Sequence, residues 1–368
     1  MVATLGIALP DVRRSLHMSE LAAGALFSVI FTIAVVSSTF AGRLADRIGS
    51  KTALVSGLSI LAFGFMCAGI SSHQTMMLLF LGITGLGYGF IPTSLYTLMS
   101  DIAPRRKGLV SSLVAVAYGL GGFVGSLLAS RLIAFSGWRE AFIAVGAVAM
   151  TIMVLELWRA PRRHQILSAG PSMHLKKAFP SSLIILALAE FLGGSVFWST
   201  ASWAPTLLRS AKALSLSETG WVMGLWSLAQ IFGALMLGDL SDKFGRKLII
   251  VASAFPAAVV SFISYAWLTS PSGLALGFIL AGALRASAPT LVVALAQETT
   301  SQENVGTATG IIMSMHYATA VVTPLVAAQL ITGTGNIVYA MILVSTTPLV
   351  LYGCLIGAVR ERRQAIHA

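Results

Sequence analysis

The chain alternates between long apolar runs and short polar stretches. Most apolar runs are about 20 residues long, the length at which an α-helix crosses a hydrocarbon core of about 30 Å. A first run, from Val2 to Leu9, is too short to do so. The pattern predicts an all-α integral membrane protein with eleven full spans, at about 19–41, 52–70, 75–100, 109–135, a run ending near 158, 181–208, 218–237, 248–268, 274–296, 307–331 and 337–359.

The short first run has a longer counterpart later in the chain. About 25 residues precede Pro205, whereas only nine precede Pro10. We therefore expect a truncated helix 1 that ends at Pro10 and is followed by a polar loop over 11–17. A native feature and a mis-set start site that removes part of the helix are both open explanations.

One charged, glycine-punctuated segment occurs twice. It runs from Gly42 to Lys51 and again from Gly238 to Lys247, with Asp46 matching Asp242 at the same offset of 196 residues. This repeat predicts two parallel six-helix halves, 1–158 and 178–368, joined by a linker over 159–177. Halves of this kind are related by a pseudo-two-fold axis and enclose a central cavity at mid-membrane depth.

Composition agrees with a lipid environment. The chain is 56% hydrophobic and 10% charged, against about 25% charged in soluble domains. Its net charge of +11 lies in short clusters at the ends of apolar runs, which is typical of membrane topology and argues against nucleic-acid binding.

The basic clusters also predict orientation, because cytoplasmic loops carry an excess of Lys and Arg. With the repeated turns inside, six basic residues are outside and seventeen of the 24 are inside: Arg43, Arg47, Lys51, Arg105, Arg106, Lys107, Arg159, Arg162, Arg163, Lys176, Lys177, Lys243, Arg246, Lys247, Arg360, Arg362 and Arg363. We expect a multi-pass protein of the cytoplasmic (inner) membrane with its C-terminus in the cytoplasm.

The sequence offers no pattern for an enzyme. Cys67 and Cys354 lie inside apolar runs and are interpreted as small buried hydrophobes. Neither a catalytic triad pattern nor a metal-ligand cluster stands out, so we expect no cofactor and no metal. The expected partners are a small-molecule substrate, H⁺ and the lipid bilayer, and the expected state is a monomer.

The duplicated segment resembles the signature loop of the major facilitator superfamily (MFS). Gly137-Trp138-Arg139 and Trp203-Ala-Pro205 are also similar to that family. The resemblance implies alternating access, with helices 1, 4, 7 and 10 around the cavity. It further implies a cytoplasmic latch between the halves; the alternative is a solvated turn that sets topology. The candidate gating residues are Gly42, Asp46, Arg47, Gly49, Lys51, Gly238, Asp242, Gly245, Arg246 and Lys247.

Two ionisable residues lie deep in apolar runs. Glu190 is roughly 14 Å and Arg285 roughly 16 Å into its helix at 1.5 Å per residue. An unpaired charge at that depth costs at least about 2.5–3.5 kcal/mol, so we expect them to pair with each other or with substrate. Competition of an anionic substrate for Arg285 would release Glu190 to take a proton. The alternative is a permanent structural ion pair.

Other candidates are weaker. Tyr88 aligns with Arg285 in the repeat and is expected to face the cavity. Glycines four residues apart are expected to allow close helix packing; these are Gly85, Gly89, Gly121 and Gly125. Polar or aromatic residues in apolar spans are each expected to be packed with one satisfied hydrogen bond; these are Trp198, Gln230, His316 and Tyr317.

The favoured function is secondary active transport of a small organic anion or metabolite, coupled to protons. One alternative is a drug or metabolite efflux antiporter. Its support is reduced because Gly121-Gly122-x-x-Gly125 resembles the antiporter motif without its proline. An alternative of another class is a transport-inactive membrane scaffold or a truncated fragment.

Overall fold

The computed structural model describes residues 1–102, 107–159, 181–286, 288–300 and 305–359. Within these ranges all regular structure is helical, and no strand occurs. The helices are α1 Val2–Ser15, α2 Glu20–Ile48, α3 Ser50–Gly69, α4 Gln74–Ile102, α5 Lys107–Ser136, α6 Trp138–Arg159, α7 Ser181–Ser210, α8 Leu216–Phe244, α9 Arg246–Ala266, α10 Pro271–Arg285, α11 Ala288–Thr299, α12 Val305–Thr334, α13 Ile337–Met341 and α14 Thr347–Ala358, with a π-helical segment Ile342–Thr346 between the last two.

Eleven segments of the described chain are long and apolar enough to cross a membrane. They correspond to the eleven spans that the hydrophobic pattern predicts. The linker predicted at 159–177 falls almost wholly outside the described residues.

The first helix is longer than its apolar run. α1 continues through Pro10 to Ser15, so the prediction of a loop after Pro10 is wrong. A proline removes one backbone donor and costs a helix about 3 kcal/mol, which the surrounding packing offsets here. Leu5, Ile7 and Val12 are fully buried, and α1 packs against α5 and α7.

The repeated charged turns are almost entirely helix. α2 ends at Ile48 and α3 begins at Ser50, so only Gly49 separates them. Gly245 alone separates α8 from α9 in the same way. The two glycines have nearly the same backbone, with φ of 90° and 92°, a region that glycine enters without steric cost. Charged side chains do not by themselves end a helix that extends out of the membrane. A residue at positive φ does end it.

One predicted span departs from a plain α-helix. The span predicted at 337–359 contains the π-helical segment between α13 and α14. The hydrophobic pattern continues through this segment, because no polar stretch accompanies it. The span predicted at 274–296 is described as α10 and α11, with residue 287 between them outside the described residues.

The two halves of the bundle meet at one end. We call the end that carries Gly49 and Gly245 the turn end, and the opposite end, where α1 and α7 finish, the far end. At the far end Arg209 of α7 binds Asp11 of α1 through two hydrogen bonds of 2.5 and 3.1 Å. Deeper in the bundle, Ser28 of α2 donates a 2.6 Å hydrogen bond to the Val321 carbonyl of α12. Both contacts join the two halves.

Close helix packing uses some of the expected glycines and not others. A Cβ at Gly85 would lie 2.3 Å from the Ile30 carbonyl oxygen, and one at Gly89 would lie 2.0 Å from Ser37. The expectation for Gly121 is wrong, because nothing lies within 4 Å of its added Cβ. The adjacent Gly122 makes the close approach to α8 instead, since it lies on the helix face that meets that helix.

This difference gives a matched test of packing. We expect Gly85→Ala to lower the free energy of unfolding by about 1–3 kcal/mol, because the new methyl group collides with backbone. Gly121→Ala should leave stability unchanged or slightly raised, because alanine favours helix and meets open space there. Thermal unfolding of both purified variants in the same detergent measures this. Equal melting temperatures for the two variants would contradict the packing described.

Candidate functional site

A cavity of about 140 Å³ lies inside the C-terminal half. We call it the Arg285 cavity. Aromatic rings form much of its wall, and polar groups stand at separate points around it. Its lining residues are Val196, Phe197, Thr200, Trp226, Gln230, Ser261, Ser264, Tyr265, Phe278, Ala281, Gly282, Arg285, Ala286, Pro289 and His316. Small sites that bind ligands combine apolar walls with a few convergent polar groups in this way.

Arg285 is the cationic group of this cavity. It is the last residue of α10, and its Nη2 donates a 2.6 Å hydrogen bond to the Gly193 carbonyl of α7. Its guanidinium carbon lies 5.0 Å from the centre of the Tyr352 ring. The Nε and Nη1 donors are buried without a hydrogen-bond partner. A guanidinium with unpaired donors in an apolar setting favours binding of an oxyanion.

Glu190 lies one helical turn before Gly193 on α7 and is 1% exposed. Its Oε1 is 2.8 Å from Nδ1 of His316 in α12, and its Oε2 is buried without a partner. Glu190 and Arg285 form no ion pair with each other in the described structure. Instead of the expected direct pair, each group binds a partner from another helix, Gly193 for Arg285 and His316 for Glu190.

His316 is the residue whose importance sequence reasoning underestimated. It lines the Arg285 cavity and also binds the buried carboxyl of Glu190. A signal was present, because His316 alone among the six histidines lies inside an apolar span. Pairing it with Glu190 required the tertiary structure, since 126 residues separate the two.

The other sequence candidates are distributed around this centre. Gln230 lines the cavity. Tyr88 is not among the residues that line it, and its ring lies 5.5 Å from that of Phe31. Phe31 in turn lies 4.2 Å from Trp198, and Trp198 lies 6.1 Å from His316. Tyr88 is therefore linked to the cavity through rings that bridge the two halves.

The repeated turns make equivalent contacts within each half. Lys51 donates a 2.9 Å hydrogen bond to the Leu157 carbonyl near the end of α6. Lys247 donates one of 2.7 Å to the Val359 carbonyl just after α14. Each lysine thus ties its turn to the end of the last helix of its own half, where a cation is favourable to the helix dipole.

The structure describes the side chains of some of the remaining turn residues but not of others. Arg246 binds Glu298 through a 2.5 Å contact. Arg47 and Asp242 are exposed. The side chain of Asp46 lies outside the described residues, so its expected latch contact remains a prediction.

The family follows from comparison with known proteins. The model of the Major Facilitator Superfamily matches residues 1–215 and 183–366. The chain belongs to the Major Facilitator Superfamily. The resemblance of its duplicated turns is thereby confirmed, and so is the six-plus-six type of helix bundle.

Relatives of this MFS chain include transporters with named substrates. The 4-hydroxybenzoate transporter PcaK of Acinetobacter baylyi is 25% identical, over 76% of this chain and 70% of the relative. The gallate transporter of Pseudomonas putida is 25% identical, over 78% and 74%. The multidrug resistance protein MdtG of Citrobacter koseri is 25% identical, over 73% and 69%.

A solved structure agrees in fold. The nucleoside transporter NupG matches with a TM-score of 0.79 and 15% identity, over 98% of this chain and 95% of that one. The family and the relatives are transporters, so this MFS chain is a multi-pass membrane transporter and not an enzyme.

The Glu190–His316 contact predicts a stability effect. We expect His316→Ala to lower the free energy of unfolding by about 1–3 kcal/mol, because it leaves a buried carboxyl without its partner. Adding Glu190→Gln should recover part of that loss, since a neutral amide costs less to leave unpaired. Thermal unfolding of the single and double variants measures both effects.

The exposed loop residue His73 provides the control. His73→Ala should leave the melting temperature unchanged. A loss in His316→Ala no greater than in His73→Ala would show that the Glu190 contact contributes nothing to stability.

Proposed function

We propose that this transporter moves a small aromatic carboxylate across the cytoplasmic membrane, coupled to protons, by alternating access. The observation that carries the proposal is the guanidinium of Arg285, which has unpaired donors beside an aromatic-walled cavity. The substrate needs an anchor for its carboxylate, a site for its ring and a group that carries the proton.

Arg285 would anchor the carboxylate. Its Nη2 is already held by the Gly193 carbonyl, which orients the planar guanidinium before substrate arrives. The remaining N–H groups offer a fork geometry that matches a carboxylate. A single such charge-assisted contact contributes about 1.5–3 kcal/mol.

The cavity walls favour an aromatic ring. Phe197, Trp226 and Phe278 line it, and ring pairs gain energy beyond burial in edge-to-face and offset geometries. Its volume is close to that of the apolar cavities of about 150 Å³ that hold one benzene molecule. Two relatives are named for aromatic acids, 4-hydroxybenzoate and gallate, which supports the same substrate class.

Glu190 and His316 would carry the proton. Their 2.8 Å contact needs one shared proton, held by either the carboxyl oxygen or the imidazole nitrogen. A carboxylate bound at Arg285 adds a negative charge nearby, which favours uptake of a second proton by this pair. Exposure of the loaded site to the opposite side of the membrane then releases substrate and proton together.

Transport assays in proteoliposomes test both roles. We expect Arg285→Gln to weaken benzoate binding by about 10–100-fold, because a charge-assisted contact is lost. Glu190→Gln keeps a hydrogen-bonding group beside His316 but cannot take a proton. It should abolish accumulation driven by a pH gradient and retain benzoate exchange at equal pH.

The controls are Arg131→Gln and Glu140→Gln, which change exposed residues of the same types. Both should accumulate benzoate as the wild type does. Full gradient-driven accumulation by Arg285→Gln and Glu190→Gln would contradict the proposal and leave only structural roles for the two residues.

The repeated turns would gate the turn end. The far-end contacts between Asp11 and Arg209 close one side of the bundle. Alternating access requires them to open when the turn end closes. The excess of basic residues at the turn end supports placing that end, and the C-terminus, in the cytoplasm.

A substitution set tests the gate separately from binding. We expect Asp46→Asn and Asp242→Asn to slow turnover severalfold with unchanged substrate affinity, because they weaken closure of the turn end. The control is Asp239→Asn, one turn before Asp242. The carboxylate of Asp239 pairs with Lys243 of its own helix. Wild-type turnover in both gate variants would show that the turns serve topology alone.

A further inference from the structure

We propose that Thr200 and Tyr265 recognise a hydroxyl group on the substrate ring, opposite the carboxylate, and that they do so as hydrogen-bond acceptors. The proposal rests on the proposed function and names a narrower substrate class, the hydroxylated aromatic acids with a para hydroxyl.

Thr200 and Tyr265 belong to a buried chain of hydroxyl groups. The Tyr265 hydroxyl lies 3.2 Å from Thr200 Oγ1 and 3.3 Å from Ser345 Oγ in the π-helical segment. Thr200 also donates a 2.8 Å hydrogen bond to the Val196 carbonyl of its own helix. Thr200 and Tyr265 line the Arg285 cavity, whereas Ser345 is not among its lining residues.

The Val196 carbonyl at the end of this series of hydroxyl groups sets the direction in which their hydrogen bonds are donated. A hydroxyl group has one hydrogen to donate. Thr200 donates its hydrogen to the Val196 carbonyl, so Tyr265 must donate to Thr200. Ser345 must then donate to Tyr265. Both hydroxyl groups at the cavity have used their hydrogens and retain lone pairs, so they can accept a hydrogen bond from a ligand but cannot donate one.

The spacing of Gly193 and Thr200 along α7 fits one aromatic ring. Gly193, which holds the Arg285 guanidinium, and Thr200 are seven residues apart on α7. This is nearly two helical turns, so they lie on one face, about 10 Å apart along the axis. A benzene ring with a carboxylate and a hydroxyl at opposite ends, each making a hydrogen bond of about 3 Å, bridges a length of this order.

A second helix repeats the same spacing. Arg285 lies seven residues after Phe278 on α10, and the Phe278 ring is 6.1 Å from the ring of Tyr265. Phe197, which lies between Gly193 and Thr200 along α7, also lines the cavity. α7 therefore presents the Gly193 carbonyl that holds the guanidinium, the Phe197 ring and the Thr200 hydroxyl in that order, and Phe278 of α10 lies at the hydroxyl level, beside Tyr265.

A ligand series on the purified full chain tests this first. We expect 4-hydroxybenzoate to bind about tenfold more tightly than benzoate, the effect of one well-made hydrogen bond in a buried site. The acid 4-methoxybenzoate has an acceptor but no donor at the same position, so it should bind no better than benzoate. Equal affinity for the hydroxy and methoxy acids would overturn the proposal.

Substitutions then locate the acceptors. The double variant Thr200→Val and Tyr265→Phe keeps both side-chain shapes. It should bind 4-hydroxybenzoate and benzoate equally, because the hydrogen-bond acceptors for the ring hydroxyl are lost. Tyr265→Phe alone should reduce the preference partly, because Thr200 keeps its lone pairs.

Two controls complete the design. Ser345→Ala removes the donor to Tyr265 without touching the cavity and should retain the full preference for the hydroxyl. Tyr339→Phe, at an exposed tyrosine, should also retain the full preference for the hydroxyl.

The outcomes separate this inference from the proposed function. A preference retained in Tyr265→Phe and in the double variant would overturn the assignment to these residues while benzoate binding still supports the transporter proposed. Absence of binding of all three acids to the wild type would overturn the proposed function, and with it this inference.

Discussion

Lipid offers no hydrogen-bond partner to a peptide group, and this constraint shapes the whole chain. Each span has to satisfy its backbone internally, so the spans are helices. An interruption at membrane depth is tolerated only where protein covers it or a cavity adjoins it. The π-helical segment within the last span obeys this rule, since Val344, Ser345 and Thr346 are buried in the bundle.

The same solvent limits where charge can be. Arg285 and Glu190 are each held by a group from another helix, Gly193 and His316 respectively, and not by each other. This separation matters in the transport cycle that we propose. A permanent ion pair would neutralise both groups, whereas two separate partners leave Arg285 with unpaired donors and Glu190 with an unpaired Oε2.

Duplication gives the two halves equivalent ends but not equivalent centres. The turns at Gly49 and Gly245 have the same backbone, and each is tied to its own half by a lysine. At the centre the halves differ. The cavity lies within the C-terminal half, and Tyr88, which aligns with Arg285 in the repeat, packs against Phe31. A symmetric frame therefore carries an asymmetric site.

The sequence by itself determined the class, the eleven spans and the two halves, because a hydrocarbon solvent imposes a length and a composition on each helix. It also singled out Glu190 and Arg285 as candidate site residues, since ionisable side chains at that depth are costly wherever they point. Only the tertiary structure decided their partners. His316 is 126 residues from Glu190, and Thr200 and Tyr265 meet across 65 residues. Such contacts depend on how helices cross and rotate, and a one-dimensional hydrophobic pattern does not encode that rotation.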